Sequence, residues 1–180
     1  QLAAWSLRTD TAHLCIAVNV SVRQFRHPHF VESVVAAINY AGIPASRLKL
    51  ELTETLLADG IEVTVAKMAT LKDMGVTLAL DDFGVGYSAL SSLKRLPLDQ
   101  LKIDKNFVRD ILRDPNDAAI ARAIIAMAQS LGLEVMAEGV ETEEQREFLA
   151  GQGCPCYQGY LFCPPLPIAE LENFMQTRSR

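Results

Sequence analysis

Six short apolar runs alternate with stretches of helical periodicity along the 180 residues, and this alternation limits the possible folds more than any other feature. The runs cover residues 14–20, 48–52, 77–80, 100–103, 134–137 and 156–161. Between them, apolar residues recur at spacings of three and four over residues 30–41, 63–74 and 118–131, and a glycine follows each stretch. Short apolar strands that alternate with amphipathic helices predict βαβ units and a parallel sheet covered by helices.

The number of these units predicts an incomplete (β/α)8 TIM-like barrel with about six βα units. Six units in 180 residues average about thirty residues each, and eight would approach the roughly 250 residues of a closed barrel. Residues 1–5 have the pattern of the last turns of an amphipathic helix, so we expect residues 1–180 to form one domain without its first strands. A doubly wound sheet is the alternative, although residues 19–23 contain no glycine-rich turn of the kind that follows its first strand.

Composition and charge exclude several classes of protein. With 49% hydrophobic and 22% charged residues the chain is able to bury a core, and its net charge of −5 disfavours sequence-independent binding of nucleic acid. No apolar run approaches the length of a membrane-spanning helix, and the N-terminus lacks the pattern of a signal peptide. We expect a cytoplasmic domain whose residues make no membrane contact, and a membrane tether elsewhere in a longer parent protein is left open.

The four cysteines Cys15, Cys154, Cys156 and Cys163 do not have the spacing of a disulfide framework or a zinc site. One residue separates Cys154 from Cys156, whereas structural zinc half-sites place about two to four residues between their thiols. In a chain without signs of secretion, we interpret all four as buried, reduced thiols.

Polar side chains stand at the end of every predicted strand. They are Asn19, Glu51, Glu54, Asp81, Asp82, Lys102, Asp104, Glu138, Glu141 and Gln158. In a (β/α)8 barrel the carboxyl ends of the strands surround one mouth, so these residues are expected to converge although they are far apart in sequence.

Single members of this set also have purely structural explanations. Glu54 could begin a helix, and Glu141 could lie in the first turn of a helix over residues 142–149. Asp81 and Asp82 could cap a helix over residues 88–93. These explanations fit each position separately better than they fit the whole set.

The adjacent pair Asp81 and Asp82 indicates a metal site. The two charges follow the uncharged residues 76–80, and carboxylates held that close together need cations. The strand ends offer oxygen donors without histidine or cysteine, which favours Mg²⁺ or Mn²⁺ over zinc. Two ions bridged by one aspartate would suit hydrolysis of a phosphodiester. Magnesium-assisted enolate chemistry is an alternative that the paired aspartates fit poorly.

Lys102 is the single cation among the strand-end residues, and its role stays open between two interpretations. It could position the attacking water or neutralise charge on a scissile phosphate, or it could form salt bridges with neighbouring acids. Residues 83–88 contain Gly84 and Gly86 directly after the paired aspartates, which is typical of a loop that approaches a phosphate or moves as a lid.

Six sequence strings carry a resemblance to a known family. They are NVSVRQF at residues 19–25, ELTE at 51–54, DDFGVGYSAL at 81–90, LKIDKNFV at 101–108, AEGVET at 137–142 and QGYLF at 158–162. In order and spacing they resemble the EAL domain family, the cyclic di-GMP phosphodiesterases of bacterial signalling. The resemblance implies a (β/α)8-like barrel that hydrolyses cyclic di-GMP to linear pGpG with two divalent ions, Mg²⁺ or Mn²⁺.

The resemblance also implies which residues hold the two ions. Asn19, Glu51 and Asp81 would bind the first ion, and Asp81 would bridge to the second. Asp82 and Glu138 would complete the second site.

The remaining strand-end residues would serve the reaction around these ions. Lys102 and Asp104 would orient the attacking water, and together with Glu138 and Glu141 they form the predicted catalytic set. Glu141 and Gln158 would support the site, and Glu54 would anchor the mobile loop that follows the paired aspartates.

The sequence departs from the family pattern in two ways. Val85 stands where the family usually has Thr and Ala89 where it has Ser, which removes two hydroxyls from the loop. The signature Glu-Ala-Leu tripeptide, which supplies a further glutamate to the first ion, is not in this sequence. We therefore expect the isolated chain to hydrolyse cyclic di-GMP negligibly.

Two further expectations follow from the resemblance and from the strand count. A receptor that binds cyclic di-GMP without hydrolysing it is the alternative function, but such receptors usually lose the acids that this chain retains. A barrel without its first strands leaves two strand edges unpaired, at residues 14–20 and 156–161, so we also expect self-association.

Overall fold

The computed structural model describes residues 1–58, 60–84 and 90–178, and it consists of six parallel strands that alternate with helices. The strands are β1 Ile16–Val20, β2 Leu48–Thr53, β3 Thr77–Phe83, β4 Gln100–Ile103, β5 Glu134–Ala137 and β6 Cys156–Tyr157. The helices are α1 Leu2–Ser6, α2 Val22–Arg26, α3 Phe30–Ala41, α4 Ile61–Asp73, α5 Leu90–Leu93, α6 Lys105–Arg109, α7 Pro115–Ser130, α8 Glu143–Gly151 and α9 Ile168–Arg178. Two short 3-10 helices, Ala45–Arg47 and Glu54–Ala58, flank β2.

The order of the strands decides between the two predicted architectures. They pair in the sequential order β1-β2-β3-β4-β5-β6, and every pair is parallel. Each βαβ connection therefore places the next strand beside the previous one, always on the same side, as in a (β/α)8 barrel. In a doubly wound sheet the order of the strands reverses at one point. The predicted incomplete barrel is confirmed, and the doubly wound alternative is wrong.

One face of the sheet is apolar and lies beneath the helices. On the central strands the residues of this face are at most 3% exposed: Leu50, Leu52, Leu78, Leu80, Leu101 and Ile103. They belong to one core with apolar residues of α3, α4 and α7, among them Ile38, Met68 and Ile125. Burial of each such side chain stabilises the fold by roughly 1.5–3 kcal/mol, so this face accounts for much of the stability.

The other face, toward the barrel interior, is polar. Successive side chains of a strand point to opposite faces, so Lys49 and Glu51 on β2 share this face with Gln100 and Lys102 on β4. Lys49 Nζ donates to Gln100 Oε1 at 3.0 Å, and Gln100 Nε2 donates to Glu134 Oε2 at 3.3 Å. TIM barrels usually fill their interior with branched apolar side chains, so a charged lining needs a separate explanation.

Most predicted elements form close to their predicted bounds, and two strands differ. β3 continues to Phe83, so Asp81 and Asp82 lie within the strand instead of following it. β6 ends at Tyr157, because the next residues fold over the β5 loop: Gln158 O accepts from the N–H of Val140 at 3.1 Å, and Leu161 N–H donates to Val140 O at 3.0 Å.

The prediction of four buried thiols is correct only for Cys154. All four are free, but Cys15 and Cys156 are exposed, Cys163 is half-buried and only Cys154 is fully buried. Cys154 packs in the core and its thiol lies 3.6 Å from the carbonyl oxygen of Val135. Cys156 lies on β6, whose side away from β5 has no strand beside it in the described part of the chain.

A helix that crosses a membrane has to be both long and apolar. Across residues 1–58, 60–84 and 90–178, no helix combines the length and the hydropathy needed to cross a bilayer.

Candidate functional site at the carboxyl ends of the strands

Lys102 is the centre of a buried charge cluster built from three strands and the first residue after a fourth. Its side chain is 2% exposed, and its Nζ lies 2.9 Å from Glu51 Oε2, 3.0 Å from Asp81 Oδ1 and 2.5 Å from Glu138 Oε1. β4 supplies the ammonium, β2 and β3 supply two carboxylates, and Glu138 follows β5. The structure thus brings together four of the predicted site residues.

The charges in this cluster shift one another's proton affinities. Burial lowers the pKa of Lys102, but hydrogen bonds with Glu138, Glu51 and Asp81 outweigh it and hold that pKa above its usual range. The pKa of Glu138 is raised to about 7, chiefly by burial and further by repulsion from Asp81 and Asp82, although Lys102 acts to lower it. One ammonium shared among three carboxylates cannot compensate all of them, so the cluster favours additional cations.

Asp81 and Asp82 face the same site because the strand is irregular there. Consecutive residues of a regular strand point to opposite faces, but the β3–β4 register shifts between Leu80 and Phe83. Asp82 has φ 53°, the only positive φ of a non-glycine residue in the described ranges. Such a conformation costs about 1–3 kcal/mol and places a second carboxylate at the mouth.

Three carboxylates lie close enough together to share a cation. Oxygens of Asp81, Asp82 and Glu138 are all within 4.8 Å of one another. Burial raises the pKa of Asp82, and a hydrogen bond with Asp104 and repulsion by Asp81 raise it further. Oxygen ligands without nitrogen or sulfur suit Mg²⁺ or Mn²⁺.

Asn19 and Glu51 adjoin this group. They are register partners on β1 and β2, and Glu51 is 8% exposed whereas Asn19 is exposed. Lys102 Nζ contacts Glu51 Oε2, Asp81 Oδ1 and Glu138 Oε1, and each of these carboxylates has a second oxygen with which it could ligate a cation.

The other predicted residues surround the cluster at different distances. Gln158 Nε2 donates to Glu138 Oε1 at 2.8 Å, and buried Asp104 caps α6 by accepting from Asn106 N–H at 2.8 Å. Glu54 begins a 3-10 helix, as its structural explanation requires, and its Oε2 also accepts from the N–H of Gly84 at 3.3 Å. Residues 85–89, including Val85 and Ala89, lie outside the described residues. The start of the helix over residues 88–93, which Asp81 and Asp82 could cap, falls in this gap.

Glu141 is the predicted residue that stands apart. It is exposed, it has no described ion pair with Lys102, and it precedes α8, whose first-turn acids are Glu143 and Glu144. Glu141 instead lines a cavity of about 650 Å³ together with Gln158, Tyr160 and Phe162.

The aromatic residues of this cavity were missed by the sequence analysis. Tyr160 is 67% exposed and Phe162 is 49% exposed, and Pro164 and Pro165 extend the wall beyond them. The sequence signal that could have identified them is the aromatic pair Tyr160 and Phe162 directly after the polar strand-end residue Gln158.

Comparisons with known proteins agree with this geometry. The family described as EAL domain matches residues 1–165. Cyclic di-GMP phosphodiesterase NbdA of Pseudomonas aeruginosa is 47% identical over 163 residues, which cover 91% of this chain and 21% of that protein. The chain spans about a fifth of the length of the curated relatives it matches.

Solved structures show the same fold. The PaMucR phosphodiesterase in complex with c-di-GMP superposes with a TM-score of 0.89 at 42% identity, covering 94% of this chain and 70% of that one. A manganese and cyclic di-GMP complex of Klebsiella pneumoniae BlrP1 gives a TM-score of 0.80 at 32% identity, covering 91% of this chain and 42% of that one.

Proposed function

The chain belongs to the EAL domain family, and on that premise we propose that its protein hydrolyses cyclic di-GMP to linear pGpG with two divalent cations, Mg²⁺ or Mn²⁺. The observation that carries the proposal is the convergence of Glu51, Asp81, Asp82 and Glu138 around Lys102. The carboxylates exceed the single ammonium in charge, and the substrate adds two phosphodiester charges. Only cations held between them make that combination favourable.

The chain's residues divide the work of the reaction. Bound cations would supply Lewis acidity. Asn19, Glu51 and Asp81 would hold one, and Asp82 and Glu138 would hold the other. Asp81 neighbours both groups, since it shares Lys102 with Glu51 and its oxygen lies within 4.8 Å of oxygens of Asp82 and Glu138.

Lys102 and Asp104 are proposed to orient the attacking water, since an ammonium donates to its oxygen and a carboxylate accepts from its hydrogen. The water would pass a proton to the Asp104 carboxylate and add to one phosphorus, the bond from that phosphorus to the ribose oxygen would break, and that oxygen would take up a proton from solvent as it leaves. Gln158 holds Glu138 through its 2.8 Å hydrogen bond, and Glu54 holds the start of the loop after β3 through Gly84.

The cavity beside Gln158 is proposed to receive one guanine base of the substrate. Tyr160 and Phe162 offer exposed aromatic faces, and Glu141 and Lys105 offer polar groups at its border. Stacking on an aromatic side chain contributes about 1–3 kcal/mol per base.

The test is an incubation of cyclic di-GMP with Mn²⁺ or Mg²⁺, followed by chromatography for pGpG. It is run on this chain and on a version extended at its N-terminus by the Glu-Ala-Leu segment of a family member. Turnover by the extended chain and little by the unextended chain is the expected result. Tight binding without pGpG from either would instead support the receptor alternative.

We also propose a cellular location and an association state for this chain. We place the protein's catalytic segment in the cytoplasm, where a nucleotide second messenger acts. We also propose self-association of this chain, because in the described ranges β1 pairs only with β2 and exposes Val18 at 42% along a free edge. Size exclusion with light scattering tests the second point, and a concentration-independent monomer would contradict it.

A further inference from the structure

Gln145 is a buried polar residue whose four hydrogen bonds all go to backbone atoms. It lies in the first turn of α8 and is 7% exposed. Its Oε1 accepts from the N–H of Glu141 at 2.8 Å and of Thr142 at 3.1 Å. Its Nε2 donates to the carbonyl oxygens of Val108 and Arg109, both at 3.2 Å. A glutamine amide has two donors and two acceptor lone pairs, so Gln145 uses all of them.

These backbone groups belong to two different segments of the candidate site. Val108 and Arg109 end α6, the helix that Asp104 caps directly after β4. Glu141 and Thr142 end the loop that begins with Glu138 after β5. One side chain thus ties the segment that carries Asp104 to the loop that carries Glu138.

Two other contacts show that the same segments touch along their length. The N–H of Glu138 donates to Ile103 O at 3.1 Å, which fixes the start of the loop. Gly139 has φ +67°, and a Cβ there would lie 2.7 Å from Lys105 Cβ, closer than side chains tolerate. Gln145 closes the far end, so the loop is held at its start, middle and end.

We propose that Gln145 is a positioning residue for the metal-binding and catalytic groups, an inference that rests on the proposed function. Glu138 lies close to two aspartates that repel it, and its backbone attachment keeps it there together with Lys102 and Gln158. Residues that hold metal ligands from behind typically change metal affinity or activity by about 10–100-fold when they are altered.

A simpler role for Gln145 is to cap its own helix. Thr142 and Gln145 form a capping box, in which the side chain at the third helical position accepts from the cap N–H. Glutamate performs that task as well as glutamine. Only glutamine also donates to Val108 and Arg109, so Gln145→Glu keeps the cap and removes the link between the segments.

The chain contains a matched control. Ser21 and Gln24 form the same capping box at α2, where Gln24 Oε1 accepts from the N–H of Ser21 at 3.1 Å. Gln24 is exposed, and no described hydrogen bond joins its Nε2 to another segment. Gln24→Glu therefore makes the same chemical change without a link to break.

The experiment measures Mn²⁺ affinity by titration calorimetry for this chain and its variants, at a temperature where circular dichroism shows each to be folded. We expect Gln145→Glu to weaken Mn²⁺ binding by about 10-fold or more and Gln24→Glu to leave it within twofold. In the extended chain at saturating Mn²⁺, Gln145→Glu should lower kcat by about 10-fold and leave KM within twofold. If Gln145→Glu does not fold, Gln145→Met removes the link and the cap together without adding a charge, and Gln24→Met, which removes a cap alone, is its control; Gln145→Met is expected to weaken Mn²⁺ binding more than Gln24→Met does.

The outcomes separate the two proposals. Unchanged Mn²⁺ affinity and kcat in a folded Gln145 variant would overturn the positioning role and leave the proposed function intact. An equal loss in Gln24→Glu would trace the effect to the added negative charge and would also overturn the positioning role. A wild-type chain that binds no Mn²⁺ would overturn the proposed function, and this inference with it.

Discussion

The same strands carry two faces of opposite chemistry. On β3, Leu80 is 1% exposed in the apolar core, and its neighbour Asp81 contacts Lys102 on the opposite face. On β4, Leu101 and Ile103 are fully buried under the helices, and Lys102 between them joins three carboxylates. The strand alternation thus separates residues that stabilise the fold from residues that form the site.

The difference shows what the charged face costs. Buried ion pairs rarely stabilise a fold more than apolar side chains of similar size, because the desolvation of each charge offsets the attraction. The polar lining and the left-handed Asp82 therefore act against stability. The apolar face has to compensate for both, as is common where activity requires an unfavourable arrangement.

The largest expected effect comes from breaking the site face alone. Asp81→Asn in the extended chain should reduce hydrolysis by on the order of 10³-fold, since the carboxylate proposed to serve both cations is lost. The free energy of unfolding of the metal-free protein should stay the same or rise, because one repelling charge disappears. Urea denaturation with EDTA measures the second quantity. Unchanged Mn²⁺ affinity in this variant would contradict the assignment of Asp81.

The matched change on the apolar face should do the reverse. Leu80→Ala removes a buried side chain next to Asp81, so the free energy of unfolding should fall by about 2–5 kcal/mol. Hydrolysis per folded molecule should change little at a temperature where the variant remains folded. A loss of activity as large as that of Asp81→Asn would show that the two faces are not separable.

Substitutions of Lys102 test whether bound cations can stabilise the polar face in place of the Lys102 ammonium group. Lys102→Met leaves three carboxylates without their partner and should cost about 3 kcal/mol in metal-free protein, and Mn²⁺ should restore most of it. Lys102→Arg keeps the charge, so its unfolding free energy should drop less. Its turnover should still fall almost as far as that of Lys102→Met, because the planar guanidinium does not replace a compact ammonium. Near-normal turnover in Lys102→Arg would favour a salt-bridge role alone.

The sequence was sufficient to predict the apolar face of the sheet and the residues that meet at the carboxyl ends of its strands. Alternation of strands and helices predicted β4 and β5 to the residue, because apolar runs of this kind have clear polar limits. The convergence of Glu51, Asp81, Lys102 and Glu138 followed from the geometry of parallel strands, whose carboxyl ends meet.

Features that depend on contacts between distant segments were beyond sequence reasoning. The positive φ of Asp82 arises where β3 and β4 shift register, and aspartate has no local preference strong enough to predict it. β6 is short because residues beyond Gly159 wrap around Val140, whose backbone lies 2.2 Å from the position of a Cβ on that glycine. The link through Gln145 joins residues 36 and 37 positions apart and leaves only a capping-box pattern in the sequence.

The smallest expected effect concerns the pH dependence of the site face. In metal-free protein the pKa of Glu138 is raised to about 7, above the roughly 4.3 of an unfolded chain. Between about pH 4.3 and pH 7, Glu138 is therefore protonated in the folded state and ionised in the unfolded state. The contribution of Glu138 to stability is then present below about pH 4.3 and is lost as the pH rises through 7.

The variant Glu138→Gln has no carboxyl group to titrate at this position, so it does not lose stability in this way. Relative to wild type, the variant should gain about 1 kcal/mol in unfolding free energy between pH 5 and pH 7.5, a modest amount because solvent screens the partly accessible carboxylate. Urea denaturation with EDTA at both pH values provides the measurement, with Glu32→Gln on the exposed side of α3 as the control. Parallel pH profiles for wild type and Glu138→Gln would show that Lys102 compensates Glu138 fully, and that the charged face costs less stability than its burial indicates.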